Sequence, residues 1–247
     1  MNVQINKTLG ILGGLGPMSS VYFYEMLTEH TLAESDQQHL NILLSSRADT
    51  PDRTAYILGR STDNPIGTML SEVSKLIGAG ADIIAIPCNT AHYFYDAISA
   101  ASSVPVINII RQTAIFCKRN GIKKVGVLAT EGTVSSGAYS SVFGLAGIEC
   151  VTPDERGQAI ISEMIYGQIK KGKEPDMKGF FEVSDTLVAN GCEKIILGCT
   201  ELSLLKRDNV LGTDRYIDSL EVLAYSAIKL CGKEPIGFDS ALMSFRP

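Results

Sequence analysis

No tryptophan, only three histidines and no Cys-x-x-Cys pair occur in this 247-residue chain. Its six cysteines, at positions 88, 117, 150, 192, 199 and 231, are dispersed. That spacing excludes the usual zinc frameworks and dithiol redox motifs, and no metal is expected. No stretch approaches the 18 or so consecutive apolar residues a membrane helix needs. No basic run or patch interrupts a net charge of −5, which argues against nucleic acid as a partner. The opening stretch "MNVQINKTLGILGGLGP" has an apolar segment cut by glycines and a proline, unlike a signal peptide. The expectation is a cytoplasmic protein with free thiols and no membrane partner.

What is present is an ordinary globular composition, 45% hydrophobic and 20% charged. Short, continuously apolar runs stand at 8–14, 41–46, 82–87, 104–109, 124–130, 147–153, 194–199 and 215–219. Continuous rather than alternating runs are the mark of strands buried on both faces. Amphipathic stretches between them predict helices over 18–33, 64–79, 90–101, 110–120, 135–146, 155–171, 177–190 and 219–231. Gly121, Gly147 and Gly191 stand where helices should end. The alternation predicts an α/β fold with parallel sheets. A weak internal repeat divides it. "LGILGGLGP" (9–17) is echoed by "VGVLATEGT" (125–133), and "IIAIPCNT" (83–90) by "IILGCTE" (195–201). We read two similar lobes, each a parallel sheet flanked by helices, with the site in the cleft between them. Residues 1–109 plus 213–247 form the first lobe and residues 110–212 the second.

Ligands of open α/β sheets bind beyond the carboxyl ends of the strands. Cys88 and Cys199 both stand at such ends, one in each half. Most free cysteines are small buried hydrophobes, which is the reading for Cys117, Cys150, Cys192 and Cys231. Two at equivalent ends point instead to paired thiols sharing one cleft. If helices start there, Asn89, Thr90 and Thr200 can cap them, and the helix ends favour a thiolate. His92 lies four residues past Cys88, a spacing that turns it away from the strand end. His30 and His39 read as surface residues. "GGLGPMSS" (13–20) lacks the third glycine of a dinucleotide loop and the lysine of a P-loop. It reads as a tight turn letting backbone approach a small ligand, with Ser19 or Ser20 as a helix cap. Arg53, after a proline turn, is suited to gripping a carboxylate, unless it is a solvated loop arginine. Lys170 sits in a lysine-rich helix end that alone would read as a solvated face.

"GILGGLGP", "PDRTAYIL", "PCNTAH", "LATEGTVSSGAY" and "GCTELS", in this order, make the chain resemble the aspartate/glutamate racemase superfamily, most closely its aspartate racemase branch. The resemblance spans essentially the whole sequence. It implies a cofactor-independent racemase of an acidic amino acid, and a homodimer. Cys88 and Cys199 would be the two acid/base residues, and Arg53 and Lys170 would hold the substrate's side-chain carboxylate. Asn89, Thr90, Thr133, Thr200 and Glu201 would line the site. Glutamate racemases carry Asp-Ser-Gly at the first turn and a histidine after the second Cys-Thr. Gly13-Gly14 and Glu201 stand here instead. One departure is "SSRADTPDRT", where Arg47 and Ala48 replace an Asn-Pro, so an extra cation is expected near the site. A maleate-type cis–trans isomerase with one nucleophilic cysteine fits the same cysteines; a two-lobed binding protein without catalysis is a further alternative, which the intact Cys88 and Cys199 oppose.

Overall fold

A computed structural model describes residues 6–208, 211 and 214–247. Its eight strands all coincide with the apolar runs of the sequence. β1 (Thr8–Gly13), β2 (Asn41–Ser46), β3 (Ile83–Ala85) and β4 (Val106–Ile107) form one sheet in the order β2-β1-β3-β4. β5 (Lys124–Leu128), β6 (Glu149–Val151), β7 (Lys194–Leu197) and β8 (Tyr216–Asp218) form a second, in the order β6-β5-β7-β8. All pairings are parallel. The two sheets therefore repeat one topology, as the sequence echoes predict.

Side-chain alternation explains how the sheets meet. Leu9, Ile11, Ile83 and Ala85 of the first sheet and Val125, Val127 and Ile196 of the second share one core. Their neighbours point outward: Leu12, Ile84 and Ile86 into one outer cluster, Leu128, Ile195 and Leu197 into another. The shared core is filled by α1 (Pro17–Glu29), α5 (Ile109–Arg119), α7 (Ala138–Leu145) and α11 (Ser219–Leu230). A period of two along each strand thus builds three apolar layers from two sheets. The outer faces carry α3 (Ile66–Gly78) and α4 (Tyr95–Ala101) on one side, and α8 (Glu155–Ser162) and α9 (Met177–Ala189) on the other. The remaining helices are single turns or little more; two bear on the site, α2 (Arg53–Ile57) and α6 (Glu131–Ser135).

Three expectations need correction. The predicted helix 90–101 is a 3₁₀ turn, Thr90–Phe94, followed by α4. The predicted helix 155–171 is α8, then a π-helical turn, Glu163–Gln168, then a 3₁₀ turn, Ile169–Lys171. Such widening shifts the residues beyond it around the axis, which no apolar period signals. Within the segment 213–247, given to the first lobe, β8 hydrogen-bonds to β7 in the second sheet; beyond it α11 packs on α1, β4 and α5, and residues 231–238 bond to Lys7, His30 and Leu32 of the first lobe. The boundary at 212/213 lies outside the described residues; we propose 218/219 for the return. Gly121, Gly147 and Gly191 do follow helices, with φ of 74°, 76° and 86°.

No helix among the described residues is long and apolar enough to cross a membrane.

Candidate active site

β3 ends at Ala85, and Ile86 and Pro87 carry the chain to Cys88. β7 ends at Leu197, and Gly198 leads to Cys199. Both thiols are free and buried. They line one narrow pocket, with only about 10 Å³ of free space, together with Leu15, Asp52, Arg53, Thr54, Asn89, Thr90, Thr130, Tyr166, Lys170, Thr200 and Glu201. Of the predicted site residues, only Thr133 stands behind this wall. Its hydroxyl lies 2.9 Å from those of both Thr90 and Thr130.

The first-strand turns close the pocket, and each holds a glycine against the other half. A Cβ on Gly16 would lie 2.3 Å from Glu201 Oε1, and one on Gly132 would lie 2.8 Å from the Cα of Thr54. These two glycines occupy matching places in the echoed stretches. The first turn is tied by Ser20, whose hydroxyl accepts from Gly14 N–H at 2.9 Å and donates to Gly16 C=O at 3.0 Å. Neither Ser19 nor Ser20 caps α1. Gly16 is its N-cap and Pro17 its first residue, a position where the missing N–H costs nothing.

The thiols have unlike surroundings. Cys199 Sγ donates to Glu201 Oε2 at 3.0 Å, and Glu201 Oε1 is ion-paired with Lys170. Burial first, then Glu201, holds the Cys199 thiol well above the ordinary cysteine range, with Lys170 opposing. Burial would lower the Lys170 ammonium, but Glu201 and the nearby thiols outweigh it and raise it.

The groups bonded to the Cys88 loop are neutral, while Arg53 and Lys170 share its pocket. His92 Nδ1 meets Cys88 C=O at 2.9 Å, and Ile109 N–H donates to His92 Nε2 at 3.2 Å. Burial lowers this imidazole to about 4. A neutral ring with both nitrogens on backbone anchors the Cys88 loop and does not serve as its base.

The helix-cap expectation fails at both thiols. Asn89 precedes the 3₁₀ turn without a side-chain cap, and the α10 helix (Ser203–Arg207) after Cys199 starts from Leu202. These residues instead stitch the halves together. Thr200 Oγ1 donates to Pro87 C=O at 3.3 Å. Asn89 Nδ2 donates to Ser219 Oγ at 3.1 Å, and Tyr139 Oη donates to Asn89 Oδ1 at 2.7 Å. The Asn89 side chain is therefore committed within the protein.

Arg53 is the group without a full set of partners. Its terminal nitrogens donate to Leu15 C=O at 2.7 Å, Pro51 C=O at 3.1 Å and Thr50 C=O at 3.3 Å. Its buried Nε has no partner. A pocket-lining cation tied only to carbonyls, with one donor unpartnered, is suited to an anion. Arg47 turns elsewhere, onto Asp49 at 2.5 Å and Glu72 at 3.9 Å, so the expected extra cation does not line the site. His30 is not a bare surface residue either; it stacks on Phe238 at 4.1 Å.

Asp52, Thr54 and Tyr166 were not anticipated. Tyr166 Oη donates to Thr54 Oγ1 at 2.8 Å, between the π-helical turn and α2. The "PDRT" motif already contained Asp52 and Thr54; only the π-helical turn brings Tyr166 inward.

Comparison with known proteins bears on the family and the fold. The family model described as Asp/Glu/Hydantoin racemase matches residues 12–227. The broad specificity amino-acid racemase of Bacillus subtilis (strain 168) is 28% identical over 226 residues, covering 89% of this chain and 96% of that protein. The solved structure of Picrophilus torridus aspartate racemase is 32% identical, with a TM-score of 0.78, covering 93% of this chain and 96% of that one. Glutamate racemase from Francisella tularensis in complex with D-glutamate shares the fold, at 20% identity and a TM-score of 0.59, covering 91% of this chain and 81% of that one.

Proposed function

The chain belongs to the Asp/Glu/Hydantoin racemase family, and we propose that it racemises a free acidic amino acid, aspartate foremost, with Cys88 and Cys199 as the two bases. The observation that carries this reading is the convergence of two buried thiols, from equivalent strand ends of two like sheets, on one closed pocket.

Inverting an α-carbon requires a base on one face and an acid on the other, because a single base tends to return the proton where it found it. In one direction Cys88 as thiolate takes the α-proton and the Cys199 thiol delivers one to the opposite face. In the other direction the roles reverse. The carbanion's charge spreads onto the α-carboxylate, which needs donors in a site that excludes water. Thr54, which accepts from Tyr166, has its own hydroxyl proton to give there, and the Thr90 and Thr200 hydroxyls donate by turning from the Thr130–Thr133 pair and from Pro87 C=O. Arg53, with its free Nε–H, takes a carboxylate; Lys170, turned toward Glu201, completes the cationic side. Asn89 and Thr133 act by fixing the loops rather than by touching substrate. No organic cofactor or metal is needed for these steps. We include in this reading a homodimer in the cytoplasm, which light scattering and cell fractionation test.

The experiment is proton NMR of L-aspartate, L-glutamate and other amino acids in D₂O, with chiral analysis of the products. Loss of the α-proton signal together with the D-enantiomer is the expected result. A folded, reduced sample that exchanges no amino acid overturns the racemase reading; turnover of maleate would then identify the isomerase.

A further inference from the structure

The two thiols stand at equivalent ends of a repeated fold, yet only one has a proton acceptor beside it. Cys199 Sγ is 3.0 Å from Glu201 Oε2 and donates to it, which requires the thiol form. Glu201 is held in place from three directions. Lys170 pairs with its other oxygen, the Gly16 backbone closes over that oxygen, and the side chain is only 7% exposed. Among the described residues, Cys88 Sγ makes no hydrogen bond. The polar groups next to it are spoken for: Asn89 by Ser219 and Tyr139, and His92 by backbone.

We propose that Glu201 is a positioning residue that keeps the resting proton of the cysteine pair on Cys199, so that the substrate-free enzyme starts its turnover with Cys88 as the base. This rests on the two-cysteine reading and deepens it. The protons balance as follows. The substrate Cα–H bond breaks and its proton joins the Cys88 thiolate. The Cys199 S–H bond breaks and its proton joins the opposite face of the α-carbon. Product leaves a Cys88 thiol and a Cys199 thiolate beside the Glu201 carboxylate. Water must move one proton back before the same direction runs again. The charged and titratable groups around Cys199 are Glu201 on its own loop, Lys170 and Tyr166 from the segment after α8, Asp52 and Arg53 from the first lobe, and Cys88 across the pocket. Glu201 alone accepts the thiol's proton. Lys170 is the counter-charge that becomes dominant if Glu201 is neutralised.

Enantiomers have equal free energy, so kcat/KM in the two directions stays equal in any variant and cannot report this asymmetry. Alkylation of the substrate-free enzyme by iodoacetamide can, followed cysteine by cysteine by mass spectrometry from pH 6 to 10. In wild type, Cys88 should be modified about tenfold or more faster than Cys199 at neutral pH, because only the thiolate is alkylated and the Cys199 proton is held by Glu201. In Glu201→Gln the pH midpoint for Cys199 should fall, and the ratio should approach one or invert. Glu201→Asp, which keeps the charge, should restore part of the bias. Unchanged modification of Cys117, Cys150, Cys192 and Cys231 certifies the fold. Equal modification of the two site cysteines in wild type, or a ratio indifferent to Glu201→Gln, overturns the proposal. A bias that behaves as expected in a protein that exchanges no amino acid overturns the racemase reading alone and leaves the proton placement standing.

Discussion

The two halves of the molecule share a strand order and differ in the polarity they give their cysteine. On the Cys88 side stand a neutral histidine, an asparagine and Thr90, whose hydroxyl meets those of Thr130 and Thr133 from the other half. On the Cys199 side stand a buried carboxylate and an ammonium. The repeat supplies matched geometry, which inversion at one carbon requires on its two faces. The unmatched side chains supply a preferred place for the single mobile proton. Geometry and proton placement are thus carried by different layers of the sequence, strand pattern for one and a few loop residues for the other.

The largest effect should come from removing either thiol. Cys88→Ser and Cys199→Ser should each lose about 10²–10⁴-fold in racemisation, the usual worth of a general acid or base, with Tm nearly unchanged. The comparison is sharpened by deuterium exchange without inversion. Each variant keeps one working base, so each should wash out the α-proton of one enantiomer only, and of opposite enantiomers in the two variants. Washout of the same enantiomer by both would break the two-faced arrangement.

Next come the paired glycines. Gly16→Ala pushes a methyl against the Glu201 carboxylate, 2.3 Å away, in the chemical half of the site. Gly132→Ala pushes one against the Thr54 backbone, 2.8 Å away, where the halves meet. Displacing a reacting group by about 1 Å costs about 10²-fold, so Gly16→Ala should lower kcat on that scale. Gly132→Ala should register mainly as a lower Tm. Calorimetry and steady-state kinetics on both separate the two, and a mainly thermal effect of Gly16→Ala would contradict the tight seating of Glu201.

A third contrast is in pH. His92, buried and neutral, has its folded-state value lowered from 6.5 to about 4. Below pH 6.5 the unfolded chain binds the extra proton, so stability is intact above 6.5 and lost as pH falls toward 4. The shift corresponds to on the order of 3 kcal/mol across that window. In denaturant titrations His92→Gln should be weaker than wild type at pH 7, yet lose less on acidification. An equal acid loss in both proteins would place the sensitivity elsewhere.

Strands and thiols were legible in the sequence because they are written in runs. Eight strands are eight apolar segments, although the edge strands β2 and β6 hold no fully buried residue and so are not covered on both faces, and Cys88 and Cys199 stand just beyond two of their ends. Four helices of four or five residues, including α2 and α6, were not foreseen, because one turn is too short to show a period. Tyr166 escaped notice for a related reason: a π-helical turn carries no pattern of its own. The cap roles given to Asn89 and Thr200 failed because local propensity cannot anticipate partners more than 100 residues away. Asn89 meets Ser219 and Thr200 meets Pro87 only once the halves are assembled.

The smallest effects should lie among the contacts that join the halves at the pocket's rim, and they rank by exposure. Tyr166→Phe removes a hydroxyl that reaches Thr54 at 2.8 Å beside the closed pocket. A hydrogen bond of this kind contributes about 1 kcal/mol, or about 2–4 °C in Tm for a chain near this size. Its loss should also loosen closure over substrate, so KM should rise more than kcat falls. Arg60→Ala removes a two-point contact with Glu131, at 2.8 and 2.9 Å, between α6 and the loop after α2. The guanidinium side chain is 59% exposed and the carboxylate 38%. Water and salt screen such a pair to well under about 1 kcal/mol, so Tm should move by a degree or two at low ionic strength and not at all in about 1 M salt. The two variants bear on the same seam of the molecule. A Tyr166→Phe effect that also vanished in salt would mean that the halves are joined there by charge, and that the hydroxyl bridge contributes nothing to closing the site.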